Sequence, residues 1–225
     1  IMMNRSFSIP IRKTLTAIAF SCGLAATMTT TMTQAAEIEM SFQNVLQQER
    51  AWAGLQSKTL KVGDITWSYS EGGQVGKPIV VLIHGLAGSR DNWNRVANAL
   101  TGNYHVIIPD LPASGETQVP KEFDYSVPNV TEKLRRFIEA ANLTGPAHIA
   151  GHSLGGSIAM LYAGQYPFET KSLFLVDAAG VYKAGNTPYL KDPNQIRSMI
   201  VSKKGDFNFL MQQAMYAPPF IPKEI

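Results

Sequence analysis

The chain is poor in the residues that redox, metal and polyanion chemistry require. Of its 225 residues one is cysteine, Cys22, and four are histidine: His84, His105, His148 and His152. A lone cysteine excludes an intrachain disulfide framework. No spacing of His, Cys, Asp or Glu suits a metal site, and no glycine-rich loop of the Walker or dinucleotide type occurs, so neither metal nor cofactor is expected. Charge is scarce, at 16% of residues, and the net +3 is local. Residues 1–36 carry Arg5, Arg12 and Lys13 and no acid; without those three, 17 basic residues face 17 acidic ones. No basic patch is left to attract nucleic acid, which is excluded as an expected partner. Long apolar runs are missing too. Thr14–Ala26 spans 13 residues, short of the roughly 20 that a membrane-spanning helix needs.

What is there divides the chain into three expected parts. Residues 1–36 read as an export signal: a positive start, the apolar run, then a Thr-rich stretch ending in Gln34-Ala35-Ala36, where small residues suit a signal peptidase. The expected location is therefore periplasmic or secreted. An uncleaved amphipathic anchor is the alternative. Lipid attachment at Cys22 fits poorly, because Ala19-Phe20-Ser21 precede it. Residues 37–180 read as the body of one globular domain, in keeping with 45% hydrophobic residues. Residues 181–225 are rich in Tyr, Phe, Met and Pro and carry no strand of the buried kind, which suggests helical pieces of a lid or cap.

Within the body the spacing predicts an amphipathic helix over Ile38–Leu55 and a hairpin of Thr59–Val62 with Ile65–Ser70 around Gly63-Asp64. A strand–helix alternation follows. Ile79–Ile83, His105–Ile108, Ala147–Ala150 and Leu173–Val176 are apolar runs suited to strands buried on both faces. Asp91–Leu100, Val127–Ala141 and Leu154–Gln165 lie between them as helices, with Asp91 available as an N-cap or in the first turn. The alternation predicts an α/β fold with a mainly parallel, doubly wound sheet.

Chemistry concentrates in Ala150-Gly151-His152-Ser153-Leu154-Gly155-Gly156. A strand enters this segment and a helix leaves it. Such a turn is sharp and strained, and it presents the Ser153 hydroxyl above the sheet as a nucleophile. Gly151 and Gly155 flank it where a side chain would collide with strand and helix. Acyl transfer creates an oxyanion that two waiting N–H groups must meet. Leu154, directly after the serine, is expected to supply one. Leu86, in His84-Gly85-Leu86-Ala87-Gly88, is expected to supply the other, with Gly85 and Gly88 letting the main chain approach. His84 is read as a loop-organising hydrogen bonder. Asp110, in Pro109-Asp110-Leu111-Pro112-Ala113-Ser114-Gly115, is given a structural role.

These three segments in this order resemble the α/β-hydrolase superfamily. Ala53-Gly54-Leu55, Trp67–Gly73, Asp91-Asn92-Trp93 and Ser172–Gly180 are similar to one branch of it, the exported bacterial lipases and monoacylglycerol-lipase-like hydrolases. The resemblance covers about residues 50–182. It implies a serine hydrolase of carboxylic esters, with a lipid-like ester as partner and transient contact with a lipid interface. Most members read Pro-Gly-x-Gly where this chain has Pro112-Ala113-Ser114-Gly115, a departure that affects loop conformation more than chemistry. The family order is serine, then acid, then histidine, yet all four histidines precede Ser153. Asp177 is the candidate acid of a variant arrangement, against a capping or loop role. The expectation is a chain that stops inside the lid, with base and acid beyond residue 225 and little hydrolysis on its own. A carbon–carbon hydrolase or amidase on the same serine remains open, as does a non-catalytic binder on the same fold. An aspartate nucleophile is excluded by Ser153.

Overall fold

Glycine opens the sheet where its freedom is needed. Gly63 sits at φ +61 with open space where a β-carbon would stand, so conformation rather than space selects it. The turn joins β1 (Leu55–Val62) to β2 (Ile65–Gly72) as an antiparallel pair, with Val62 opposite Ile65. In this computed structural model, residues 42–143, 145–180, 206–214 and 217 are described. The expected export signal over 1–36 lies outside them, and so does most of the expected lid over 181–225.

Both hairpin strands outrun their apolar patterns, pairing as far as Leu55 with Gly72. Main-chain hydrogen bonds extend the register where the side chains give no periodic signal. Leu55 thereby belongs to β1, and among the described residues helix α1 covers 42–52. The other strands are β3 (Ile79–Ile83), β4 (His105–Pro109), β5 (Ala147–His152) and β6 (Thr170–Val176). The sheet runs β1-β2-β4-β3-β5-β6. β4, β3, β5 and β6 are mutually parallel, and the hairpin adds an antiparallel edge, so the sheet is mixed and mostly parallel.

Two apolar layers account for the continuous runs. Val81, Ile83, Ile107 and Ile149 pack with Leu134 and Phe137 of helix α3 (Val127–Ala140) and with Ile158 and Tyr162 of helix α4 (Leu154–Gln165). Their sequence neighbours Val80, Leu82, Val106 and Ile108 face the other way, onto Leu55, Trp93 and Ala97. Alternate residues of one strand thus feed both layers, and all five residues of β3 are buried.

The helix expected over Asp91–Leu100 is broken. Residues Arg90–Trp93 form a 3-10 turn, and helix α2 begins at Asn94 and ends at Leu100. Ser89, not Asp91, is the cap: its hydroxyl accepts from Asp91 N while Asn92 Oδ1 accepts from Ser89 N. Asp91 is drawn off by Arg50, whose Nε and Nη2 each donate to it at 2.6 Å. A further helix, α5, spans Asp206–Ala214. No described helix is long and apolar enough to cross a membrane.

Candidate active site

β5 runs two residues beyond its apolar core, to His152, and delivers the chain directly into Ser153. Ser153 has φ 50 and ψ −118, a conformation that costs an L residue of order 1–3 kcal/mol and persists only when its surroundings impose it. The surroundings are visible. Ser153 N donates to Val176 O at 3.1 Å, and Ser153 O accepts from Gly156 N and Ala179 N at 2.9 and 3.0 Å. The end of β6 and the turn after it therefore clamp the serine main chain from one side.

Glycines clamp it from the other. A β-carbon on Gly155 would lie 2.3 Å from Ile83 O, and one on Gly151 would lie 2.2 Å from Gly155 O. Gly156 is equally constrained, at 2.5 Å from Ala178 Cβ. The collisions expected at Gly151 and Gly155 are thus real, and they hold the first turn of α4 against the ends of β3 and β5.

Ser153 is the N-cap residue of α4, but its side chain makes no capping hydrogen bond. Among the described residues no group bonds the Ser153 hydroxyl. The oxygen stands free at the positive end of a 12-residue helix, beside N–H groups that lack intrahelical partners. Leu154 is the first of these.

The loop bearing Leu86 reaches the same point. A β-carbon on Gly85 would come within 3.0 Å of Ser153 Cβ and of His152 Nδ1. A tight turn, Gly88 N to Gly85 O at 3.2 Å, folds the loop back, with Ala87 at φ 56. Gly88 has no room for a side chain either, since Asn92 Oδ1 lies 2.8 Å from where its β-carbon would be.

His84 holds that loop from beneath. It is fully buried; Nδ1 contacts Gly85 O at 2.8 Å and Nε2 contacts Leu111 N at 2.9 Å. Leu111 N can only donate, so Nε2 accepts and the proton sits on Nδ1. Burial pushes the imidazole below its ordinary value, against the opposing pull of the Gly85 carbonyl and Asp110. A neutral, doubly bonded His84 fits the loop-organising role.

Asp110 is likewise 1% exposed and structural. It accepts from Arg90 N at 2.7 Å and Glu116 N at 3.0 Å, and it pairs with the Arg90 guanidinium. Gly115, at φ +54, packs flat on that carboxylate. The remaining histidines stand apart from the serine hydroxyl in different ways. His105 bonds Glu71 at 2.7 Å, and His148 meets Ser172 at 2.7 Å near the opposite end of β5. His152 is exposed beside the elbow. Asp177 is also exposed, at φ 45, in the turn whose neighbours Val176 and Ala179 bond the Ser153 main chain. Sequence reasoning did not single out Arg90, Ser89 or Ala87. Only the His-Gly-Leu-Ala-Gly string marked Ala87 as part of an unusual loop.

Residues 78–214 match the sequence profile of the family described as alpha/beta hydrolase fold. The chain is 38% identical over 186 residues to Lipase 3 of Moraxella sp. (strain TA144), covering 81% of this chain and 58% of that protein. It is 28% identical over 182 residues to monoacylglycerol lipase abhd6-B of Xenopus laevis, covering 76% and 54%. In crystal structures, a candidate lipase (lip1) of Acinetobacter baumannii AYE superposes with a TM-score of 0.76 at 75% identity, over 81% of this chain and 61% of that one. The chain thus spans a little over half the length of the lipases it matches.

Proposed function

This chain belongs to the alpha/beta hydrolase fold family, and from that premise we propose that it is the serine-bearing part of an exported hydrolase of lipid-like carboxylic esters. One observation carries the reading: a strained, glycine-clamped Ser153 whose hydroxyl is uncapped at the head of α4. The relatives named lipase and monoacylglycerol lipase supply the substrate class. The apolar run of Thr14–Ala26 with its basic start supports export.

The chemistry follows from where charge appears. Ser153 Oγ attacks the ester carbonyl carbon, and the carbonyl oxygen becomes an oxyanion. The Leu154 and Leu86 main-chain N–H groups receive it, so stabilisation comes from fixed dipoles that need not reorganise. The carbon–oxygen bond to the alcohol then breaks, and the alcohol leaves with the proton that the serine gave up. Water attacks the acyl-enzyme by the same route and releases the acid. Both proton transfers need a base, and the base needs an orienting carboxylate. Asp177 lies in the turn bonded to the elbow and is the candidate carboxylate within the described residues. None of the four histidines fits the base, and the relatives extend well beyond the matched stretch; we place the base there. Residues 181–225, with Tyr182, Tyr189, Met199, Met211 and Phe220, are assigned to the start of a lid that meets the lipid interface.

The test is hydrolysis of chromogenic esters by the full-length protein and its Ser153→Ala variant. Loss of about 10⁴-fold or more in kcat is expected, as for other triad serines. Unchanged turnover in the variant, or failure of a fluorophosphonate to label Ser153, overturns the reading.

A further inference from the structure

Helix α1 keeps one face against the body and turns another outward. The inward face is bonded in place. Arg50 pairs with Asp91 at 2.6 Å and donates to Ser57 at 3.1 Å, and the Trp52 carbonyl accepts from Asn98 Nδ2 at 2.9 Å. Ala53, just beyond the helix, is fully buried. The outward face is apolar where water favours charge. Phe42, Val45 and Trp52 are 58%, 50% and 59% exposed. At 3.6 residues per turn these three fall within one arc of about 80°. The other exposed residues of α1, Gln43, Asn44, Gln47, Gln48 and Ala51, carry no charge. Its two charged residues, Glu49 and Arg50, are half-buried. Single exposed apolar residues are ordinary on a protein surface, but an apolar stripe on one helix marks a contact.

We propose that this stripe docks the protein on a lipid bilayer, with α1 lying flat among the headgroups and Trp52 at the boundary between water and hydrocarbon. The inference rests on the export and lipid-ester reading above, and adds the surface that brings the protein to its substrate. Size argues against a protein partner. A helix of this length is about 16 Å long and 10 Å across, so its outer face offers far less than the roughly 800 Å² per side of a stable protein interface. Charge argues the same way, since the face carries none for a partner to match. Tryptophan suits the membrane interface, where one end of a side chain is apolar and the other wet. The preceding chain leads to the same place. The apolar run Thr14–Ala26 enters the bilayer during export, and residues 27–41 reach at most about 50 Å when fully extended. An uncharged face needs no anionic headgroups, so salt leaves the docking intact. The Arg50–Asp91 pair joins the docked helix to the turn directly after the loop that bears Leu86, which ties the membrane contact to the reacting side of the molecule.

Of the chain's three tryptophans, Trp67 and Trp93 are buried and Trp52 is exposed, so a change in emission on docking reports Trp52. The test titrates the full-length protein, freed of residues 1–36, with phosphatidylcholine vesicles. A blue shift is expected, with quenching by lipids brominated along the acyl chain, both retained at high salt. The double variant Phe42→Gln, Val45→Gln is expected to weaken cosedimentation with the same vesicles at least about tenfold, while turnover of a water-soluble ester stays at the parent value. Trp52→Gln gives the same loss of cosedimentation and decides alone if the double variant does not fold. An unshifted spectrum overturns the proposal, as does binding that requires anionic lipid and vanishes in salt. A lipid-free dimer that the double variant disperses overturns it in favour of a second copy of the chain. Cleavage of soluble esters without a Trp52 shift removes the docking surface and leaves the acyl-transfer reading standing. A Trp52 shift in a protein that cleaves no ester does the reverse.

Discussion

Ala113 adopts φ +64, where a β-carbon crowds the following carbonyl and an L residue is disfavoured by roughly 1–2 kcal/mol. Glycine would suit this position better, because the loop after β4 turns through the left-handed region at that residue. Ala113→Gly is therefore expected to raise unfolding stability by about 1 kcal/mol after the greater chain entropy of glycine is counted. Denaturant unfolding of the two proteins measures it, and a loss of stability would contradict it. At this scale much was legible. Gly151 and Gly155 bracket the serine in the sequence because main chain already occupies the space that a side chain there would need. The departure at Ala113 was legible as a loop effect. Ala87 was not, since a left-handed alanine leaves no mark on composition or period.

Between elements, a buried ion pair near the site joins the 3-10 turn before α2 to the loop after β4. Arg90 and Asp110 are each 1% exposed, and the guanidinium also reaches Glu116 at 2.6 Å. Two buried opposite charges depend on each other, so removing one leaves the other unpaired. Asp110→Asn is expected to cost about 3–5 kcal/mol of stability, read from the midpoint of denaturant unfolding. A shift below 1 kcal/mol would show that Glu116 alone satisfies Arg90. Periodicity found these elements and missed their ends. Hydrophobic runs mark where a strand is buried, and hydrogen bonding carries β2, β5 and β6 past those runs. Arg90 escaped notice because nothing in its neighbours distinguishes a buried arginine from a solvated one. Asp91 was expected as the cap or in the first turn; it lies in the first turn, and Ser89 is the cap. There Arg50, 41 residues away, pairs with its carboxylate, which no local pattern announces.

For the molecule as a whole, acid sensitivity follows from His84. The ordinary histidine value is 6.5, and burial holds His84 below it in the folded protein. Below about pH 6.5 the unfolded chain accepts a proton that the folded one refuses, so stability declines as pH falls from 6.5 through the folded value. Above 6.5 the contribution is complete. Unfolding free energies measured from pH 8 to pH 5 for the parent and His84→Gln are expected to converge toward low pH; parallel curves would show that His84 does not titrate differently on folding. The overall plan of strands and helices was readable because one layer of local pattern repeats along the chain. A cavity lined by Leu86, Leu111, Val130 and Ile158 was not, because these residues come from four separate segments that only the folded sheet assembles.

The contacts around Gly151 and Gly155 are backbone against backbone. The main chain that carries the reacting oxygen is thus held mostly by atoms that every residue type shares, with Ala178 Cβ against Gly156 the side-chain contribution noted above. Substitutions in the surrounding apolar walls can accumulate without shifting it. Substrate preference and chemical competence are in that sense separately inheritable: selection can reshape what the protein accepts while the attacking atom keeps its station.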